Sequence, residues 1–474
     1  MRVAFASSEL APHAQVGGLA DVARWLPAKL AAAGDDVRVF VPHYDVFDPG
    51  RVPVVPADDL GVIPIGDLGS VTVSTLGEPG TGRPTVYLIG APEWFRRGRI
   101  YDPGPDEHLR FIALSRAVPA VCERLGWMPE LVHANDWHTA LLPLLMRASG
   151  EPWESLPTVL TIHNLAYQGW FPAADVERIG LGPFADDLPS FDLEGGGVNS
   201  LRVGIRTASL VTTVSPTYAE EIRGPQRGFG LEADLAARGD RLIGILNGIG
   251  DDWDPATDPW ISHRFSEPAG KAPNTAALRD RFELEHRADV PVMGIVSRLD
   301  RQKGFELLRT TLPPLFDRRR AQLAVVGTGD PTFEAMFSGF AERHPGWAAY
   351  HRGFDTALAH LVEAGSNVFL MPSEFEPCGL NQMYSMRYGT VPIVNHTGGL
   401  ADTVEAWDPA AGTGTGFVFE EFTKEAFLAQ VRAALDTFRD RAAWRTLMAN
   451  GMGKDFSWEA RAAEYRTAYR LAGG

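Results

Sequence analysis

Cysteine is almost absent from this 474-residue sequence: Cys122 and Cys378 are the only two. That excludes a disulfide framework and any multi-cysteine metal site. Long apolar runs are missing too, and none approaches the roughly 20 residues that a membrane helix needs. The N-terminus, MRVAFASSEL, lacks the basic region, extended apolar core and small-residue cleavage site of a signal peptide. A cytoplasmic location without a membrane partner is expected. Positive charge is in deficit, with 44 Lys and Arg against 60 Asp and Glu and a net charge of −16. Such a field repels a broad polyanion, so nucleic acid is not an expected partner. A small anion is a different case, because a few focused cations can outweigh the mean field locally.

What is present fits a soluble globular protein, at 45% hydrophobic and 22% charged residues. The length exceeds what one hydrophobic core normally serves, which predicts at least two domains. Arg2 to Ser7 reads as a strand. Leu19, Val22, Ala23, Leu26 and Leu30 then recur at helical spacing up to a stop at Gly34, and Asp36 to Pro42 reads as the next strand. In the second half, Pro291 to Ser297 and Gln322 to Val326 are strand candidates around an apolar helix near Phe305 to Leu312. Further strands are predicted at Val86–Ile89, Leu131–His133, Val159–Ile162, Leu210–Val214, Val368–Met371 and Val391–Val394.

Alternating strands and helices imply an α/β fold with parallel sheets covered on both faces. The Gly-, Asp- and Pro-rich stretch Asn247 to Pro259 is the predicted linker. It divides a first domain, 1–246, from a second, 260–455, with a terminal amphipathic helix at 456–474 whose docking site the periodicity leaves open. An internal echo accompanies this division: GGLADV at Gly17–Val22 and GGLADTV at Gly398–Val404. Chance in a Gly- and Ala-rich chain is the plain alternative. The functional reading is that each domain presents a glycine-rich helix N-terminus, an end that favours anions.

Four polar clusters fall at strand ends: HANDWH at His133–His138, TIHNLAYQG at Thr161–Gly169, SRLDRQKG at Ser297–Gly304 and SEFEPCGLNQ at Ser373–Gln382. Each taken alone has a bland reading. A lone His at a strand end is more often structural than catalytic, and Arg298 and Lys303 could be surface charges. All four nevertheless lie on the edge where open α/β sheets bind ligands. Arg298 and Lys303 are the candidate ligands of a diphosphate, one as a planar fork and the other as a compact charge. They would neutralise a departing diphosphate without a metal. Asp251, Asp252 and Asp254 are the nearest approach to a metal-binding carboxylate cluster, and they read as solvated linker residues. Nothing singles out a lysine for pyridoxal phosphate, so no cofactor is expected.

With these motifs the chain resembles bacterial glycogen synthases and plant starch synthases. GGLADV, HANDWH, TIHNLAYQG, VSPTYAEEI, LNG at Leu246–Gly248, SRLDRQKG, SEFEPCGLNQ and TGGLADTV occur in the family's order over nearly the whole chain. The resemblance implies two facing Rossmann-like domains of the GT-B type. It implies a retaining transfer of glucose from ADP-glucose to the non-reducing 4-hydroxyl of an α-1,4-glucan. By position, Glu376 would hold hydroxyls of the donor glucose, and Cys378, Gly379, Leu380 and Asn381 would lie along the donor. His163 would face the reacting sugar. Gly17 and Gly18 would approach the diphosphate, and Phe354 stands where the family usually stacks a Tyr on adenine. Asp21, Asp136, Trp137 and Asn247 would line the sugar and acceptor side.

Several positions depart from the family pattern. Gln15 stands where a Lys is usual, Asn135 where a His is frequent, and Gly250 where an Asp often follows LNG. Tyr384 occupies the position at which many related transferases carry a second Glu, and a non-acidic residue there is usual in this synthase group. Two alternatives follow: a retaining transferase that uses UDP-glucose or another acceptor, and a non-catalytic glucan-binding regulatory protein. Gln15 favours the second alternative, whereas Glu376, Arg298, Lys303 and His163 together argue against it.

Overall fold

The computed structural model describes residues 1–47, 53–77 and 82–474. The chain forms two compact units, one of Met1–Gly248 with Trp458–Gly474 and one of Ile249–Ser457. The first is built on a sheet whose strands run in the order Leu242–Gly244, Leu210–Thr213, Thr158–Ile162, Leu131–Asn135, Arg2–Ala6, Asp36–Pro42, Thr85–Gly90, Ser70–Leu76 and Val54–Pro56. The pairings are parallel as far as Thr85–Gly90. Beyond it, Ser70–Leu76, Val54–Pro56 and Ile63–Pro64 add an antiparallel edge.

Central strands such as Thr158–Ile162 are buried along their whole length. This explains why they read as continuous apolar runs rather than as alternating patterns. The antiparallel edge is different. Ser70–Leu76 alternates Val with Ser and Thr, and only its Val71 and Val73 are buried. That weaker signal left the edge unread in the sequence.

The second unit is an all-parallel sheet in the order Ala348–Arg352, Gln322–Gly329, Val292–Leu299, Val368–Met371, Val391–Asn395 and Phe417–Phe419. One expected element differs. The helix expected near Phe305–Leu312 is a chain of short turns, Phe305–Leu307, Leu308–Thr311 and Pro313–Asp317. Pro313 and Pro314 cannot supply the N–H groups that one continuous helix would require.

The expected linker is also different in kind. Asn247 and Gly248 belong to the first unit, while Ile249 to Pro259 packs onto the second. Trp253 lies between the rings of His360 and Tyr384, with centroid distances of 3.8 and 3.9 Å and near-parallel planes. Buried Asp258 accepts hydrogen bonds from His360 at 2.8 Å and from the Tyr388 hydroxyl at 2.6 Å. Asp254 pairs with Arg387 at 2.6 Å. Asp254 is therefore an anchor rather than a solvated linker residue. Composition alone hid this, because Gly, Asp and Pro mark irregular backbone but not where its side chains dock.

The terminal helix, Trp458–Ala472, packs into the core of the first unit through Trp458, Ala462, Tyr465, Ala468 and Tyr469. Tyr469 bonds His133 at 2.8 Å, and Glu459 pairs with Lys29 at 2.6 Å. Since Trp458 is only 1% exposed, Trp458→Ala should cost about 3–5 kcal/mol of stability. Urea denaturation followed by circular dichroism checks this, and a loss below about 1 kcal/mol would contradict the packing described.

Candidate active site

In the parallel part of each sheet the strand order reverses direction once. In the first unit the reversal lies between Arg2–Ala6 and Leu131–Asn135, and in the second between Val292–Leu299 and Val368–Met371. Crossovers leave to opposite faces at such a point, so the loops after the two strands part and open a crevice at their carboxyl ends. The segments leaving these four strands begin at Ser7, Asp136, Asp300 and Pro372. The candidate residues Gly17, Asp136, Lys303 and Glu376 lie in them, before or at the start of the next helix.

The second unit holds the tighter constellation. Lys303 Nζ lies 2.7 Å from Glu376 Oε2, and the Ser373 hydroxyl donates to the same oxygen at 2.9 Å. Glu376 is buried and Lys303 nearly so. Among the described residues none bonds Glu376 Oε1. The two loops carrying the pair are fastened by their backbones: Glu374 N–H donates to Gln302 O at 2.8 Å, and Gln302 Nε2 donates to Phe375 O at 3.1 Å. Asn395 Nδ2 adds a bond to Ser373 O at 3.0 Å. Arg298, at the end of its strand, is 53% exposed and pairs loosely with Asp300 at 3.7 Å. Asn381 opens the helix Asn381–Arg387 and donates to Val296 O. Phe354 is 80% exposed beyond the strand Ala348–Arg352.

The second glycine pair has a different task from the one expected. Gly399 N–H points at the carbonyls of Glu376 and Pro377, at 3.1 and 3.2 Å. A Cβ on Gly399 would sit 2.1 Å from Cys378 O. The pair thus lets the short helix Gly398–Thr403 press against the backbone of Glu376 to Cys378. The Gly399 N–H is consumed in that contact and is not offered to an anion.

In the first unit, Gly17 precedes the helix Gly18–Ala32. Its N–H and that of Val16 both donate to Glu9 Oε2, at 2.9 and 2.7 Å, while Tyr101 OH donates to the other oxygen at 2.5 Å. The Gly17 N–H is therefore already paired with a carboxylate, unlike the open group expected. Glu9 and Tyr101 hold this loop, yet neither stands out in the sequence, because an isolated acid and tyrosine carry no pattern. Gln15 donates to Asp21 at 3.2 Å.

Asp136 sits at the strand-to-helix junction with φ of 55°, in the sparsely occupied left-handed region. Its Oδ1 accepts the backbone N–H of His163 at 2.7 Å and approaches that of Asn164 at 3.4 Å. The His163 ring bonds Asn135 Oδ1 at 2.9 Å, while Asn135 Nδ2 donates to Ala6 O at 3.0 Å. With the amide oriented that way, His163 Nε2 carries a proton and donates it to Asn135 Oδ1. The two expected site residues Asp136 and His163 are thus directly joined. Asn247 is buried, and its Oδ1 has no hydrogen-bond partner among the described residues. His133, by contrast, is enclosed between Tyr469 and Thr161 and serves the core.

Burial governs the electrostatics here. It pushes the Asp136 carboxyl up to about 7, with the charge of Glu9 adding and the two backbone N–H groups opposing. Burial pushes His163 down to about 3, which keeps it neutral at physiological pH. Among the described residues no group of three or more His, Cys, Asp or Glu side chains is placed to hold a metal ion, and no helix is long and apolar enough to cross a membrane.

Comparison with known proteins matches both units. Residues 2–237 match the family described as starch synthase catalytic domain, and residues 277–446 match glycosyl transferases group 1. A glycogen synthase of Anaeromyxobacter dehalogenans is 44% identical, with 99% of each chain covered. One from Geotalea uraniireducens is 41% identical over 100% of this chain and 99% of its own. Among solved structures, the catalytic domain of starch synthase IV from Arabidopsis thaliana, bound to ADP and acarbose, superposes with a TM-score of 0.91 at 32% identity. That match covers 100% of this chain and 99% of the other.

Asp136 binds its proton more tightly in the folded chain than in the unfolded one. Its contribution to stability therefore falls as pH rises from about 4 to about 7. Asp136→Asn removes this term. Between pH 4.5 and 7.5 the wild type should lose about 1–3 kcal/mol relative to that variant in urea denaturation. A pH-independent gap between the two would contradict the assignment.

Proposed function

The chain belongs to the starch and glycogen synthase family of glycosyltransferases, and we propose that it extends an α-1,4-glucan with glucose from ADP-glucose, retaining the anomeric configuration. The observation that carries this reading is the Lys303–Glu376 pair. Lys303 and Ser373 both engage Oε2, which leaves Oε1 to accept hydroxyls of the donor glucose. The ammonium also offsets the charge of the carboxylate, so Glu376 can stand beside an anionic diphosphate without strong repulsion.

In this reading Arg298, whose side chain is half exposed and only loosely paired, turns to the diphosphate together with Lys303. Charge grows on the leaving phosphate as the glycosidic bond breaks. Cations fixed in advance therefore act more strongly on the transition state than on the ground state. Glu376 is already paired with Lys303 and Ser373, so it holds the sugar rather than attacking it. The acceptor hydroxyl attacks on the face that the phosphate leaves, and the leaving phosphate oxygen takes its proton. Phe354 offers an exposed ring for the adenine, with Cys378, Gly379, Leu380 and Asn381 along the donor. On the first unit, Asp136 and neutral His163 form one rigid group for the sugar, with Asp21, Trp137 and Asn247 on the acceptor side. The buried, unpaired Oδ1 of Asn247 suits a sugar hydroxyl. Gly18 remains a candidate for the diphosphate, whereas Gly17 would have to share its N–H with Glu9.

Purified protein given radiolabelled ADP-glucose and glycogen should lengthen chains, and parallel UDP-glucose should react more slowly. Glu376→Ala should lower kcat at least 100-fold, about 2.7 kcal/mol of transition-state stabilisation. Unchanged turnover in this variant would remove Glu376 from the site.

A further inference from the structure

Lys271 in the second unit is only 2% exposed. It ends the short turn Pro268–Lys271, ahead of the helix Ala272–Arg281. A lysine this enclosed is rare, because its ammonium gives up water and must recover the loss from protein partners. Four oxygens surround its Nζ: Glu363 O at 3.1 Å, Ala364 O at 2.7 Å, Tyr388 O at 2.8 Å and Thr390 Oγ1 at 2.6 Å. The first two carbonyls close the helix Thr356–Gly365, and the third caps the helix Asn381–Arg387. Two helix C-termini, each with unsatisfied carbonyls and a partial negative charge, thus converge on one cation.

The cage requires a charged donor. Burial pushes the Lys271 ammonium down to about 7, with the Glu363 charge opposing. The surrounding oxygens oppose it as well, since three carbonyls and a hydroxyl present more acceptors than a neutral amine has protons. Glu363, 1% exposed, accepts from the Ser385 hydroxyl at 2.6 Å and so ties the same two helices a second time. The Thr390 hydroxyl closes the group, at 2.5 Å from Glu363 O and 2.9 Å from Ser366 O.

The elements gripped here lead to the loop that carries Glu376. Tyr388 and Thr390 bracket the turn between the helix Asn381–Arg387 and the strand Val391–Asn395. The far end of that helix is Asn381, which donates to Val296 O and follows Leu380 directly. The far end of the strand is Asn395, whose Nδ2 donates to Ser373 O at 3.0 Å, and the Ser373 hydroxyl donates to Glu376. Both ends of the segment 373–380 are therefore attached to elements pinned at one turn. We propose that Lys271 is a positioning residue, a tethered cation that fixes this turn and thereby, through Asn381 and Asn395, the loop holding Glu376. This rests on the synthase reading for the activity that should change, and not for the geometry.

Hydrogen exchange of residues 373–382 in the full chain, read by mass spectrometry, tests the positioning without any transfer. Lys271→Met keeps most of the volume, removes the charge, and should speed exchange there roughly tenfold. Thr390→Val removes a single acceptor, puts folding at less risk, and should act in the same direction. In Lys271→Met, kcat/KM for ADP-glucose should fall roughly tenfold while KM for glycogen stays within about twofold. Propylammonium replaces the atoms deleted in Lys271→Ala, so it should recover about threefold or more in both readouts, and propanol should not. Lower thermal stability with loop exchange and kinetics at wild-type values would overturn the proposal, as would equal recovery with propanol. Exchange needs no transfer, so the two readings fail separately. A wild type that transfers nothing, with a loop loosened in Lys271→Met, removes the synthase reading and supports the positioning. Normal transfer with exchange unmoved in both Lys271→Met and Thr390→Val removes the positioning alone.

Discussion

The buried contact of Lys303 with Glu376 is the interaction around which the second unit is organised. A carboxylate this enclosed is costly unless a cation and hydrogen bonds compensate it, and Lys303 with Ser373 supplies both. The surrounding structure holds the two loops together: the backbone bonds through Gln302, the Asn395 amide on Ser373, and the seating of Gly399 against the carbonyls behind Glu376. Loss of any of these would let the ammonium and the carboxylate part and leave each buried without its counterpart. The same contacts leave one carboxylate oxygen for a ligand.

The first unit solves a parallel problem by other means. Its acid, Asp136, has no cation partner among the described residues and is stabilised by the backbone of His163 at the end of the neighbouring strand. A strained backbone at Asp136 and a ring fixed through Asn135 make one rigid group from two loops. Burial then raises the acid and lowers the histidine, so both are biased toward their neutral forms. A neutral, preorganised surface suits hydroxyl-bearing ligands, as the cationic loop of the second unit suits a diphosphate.

Much of this was legible in the sequence, for identifiable reasons. Parallel strands buried on both faces read as apolar runs, so their positions and the α/β class followed, and the polar clusters at their ends marked the edge that carries the candidate site. What escaped depends on weak local patterns or on tertiary contacts that no local pattern marks. The half-buried edge strands lack a continuous apolar signal. Glu9 reaches the glycine loop only because the loop curls back over it. The anchoring of Asp254 and Asp258 requires partners more than 100 residues away. The glycine pair at Gly398 was recognised as a motif, but its use for close packing rather than for an anion depends on the Glu376 to Cys378 backbone lying behind it.

The proposed transfer requires Lys303 and Glu376 to act as one unit. A double-mutant cycle on kcat/KM for ADP-glucose, with Lys303→Met, Glu376→Gln and the two combined, tests it most directly. Strong non-additivity is expected: the double variant is no slower than the slower single variant, a coupling of about 2–3 kcal/mol. Additive losses, with the double variant slower by the product of the two single effects, would contradict it.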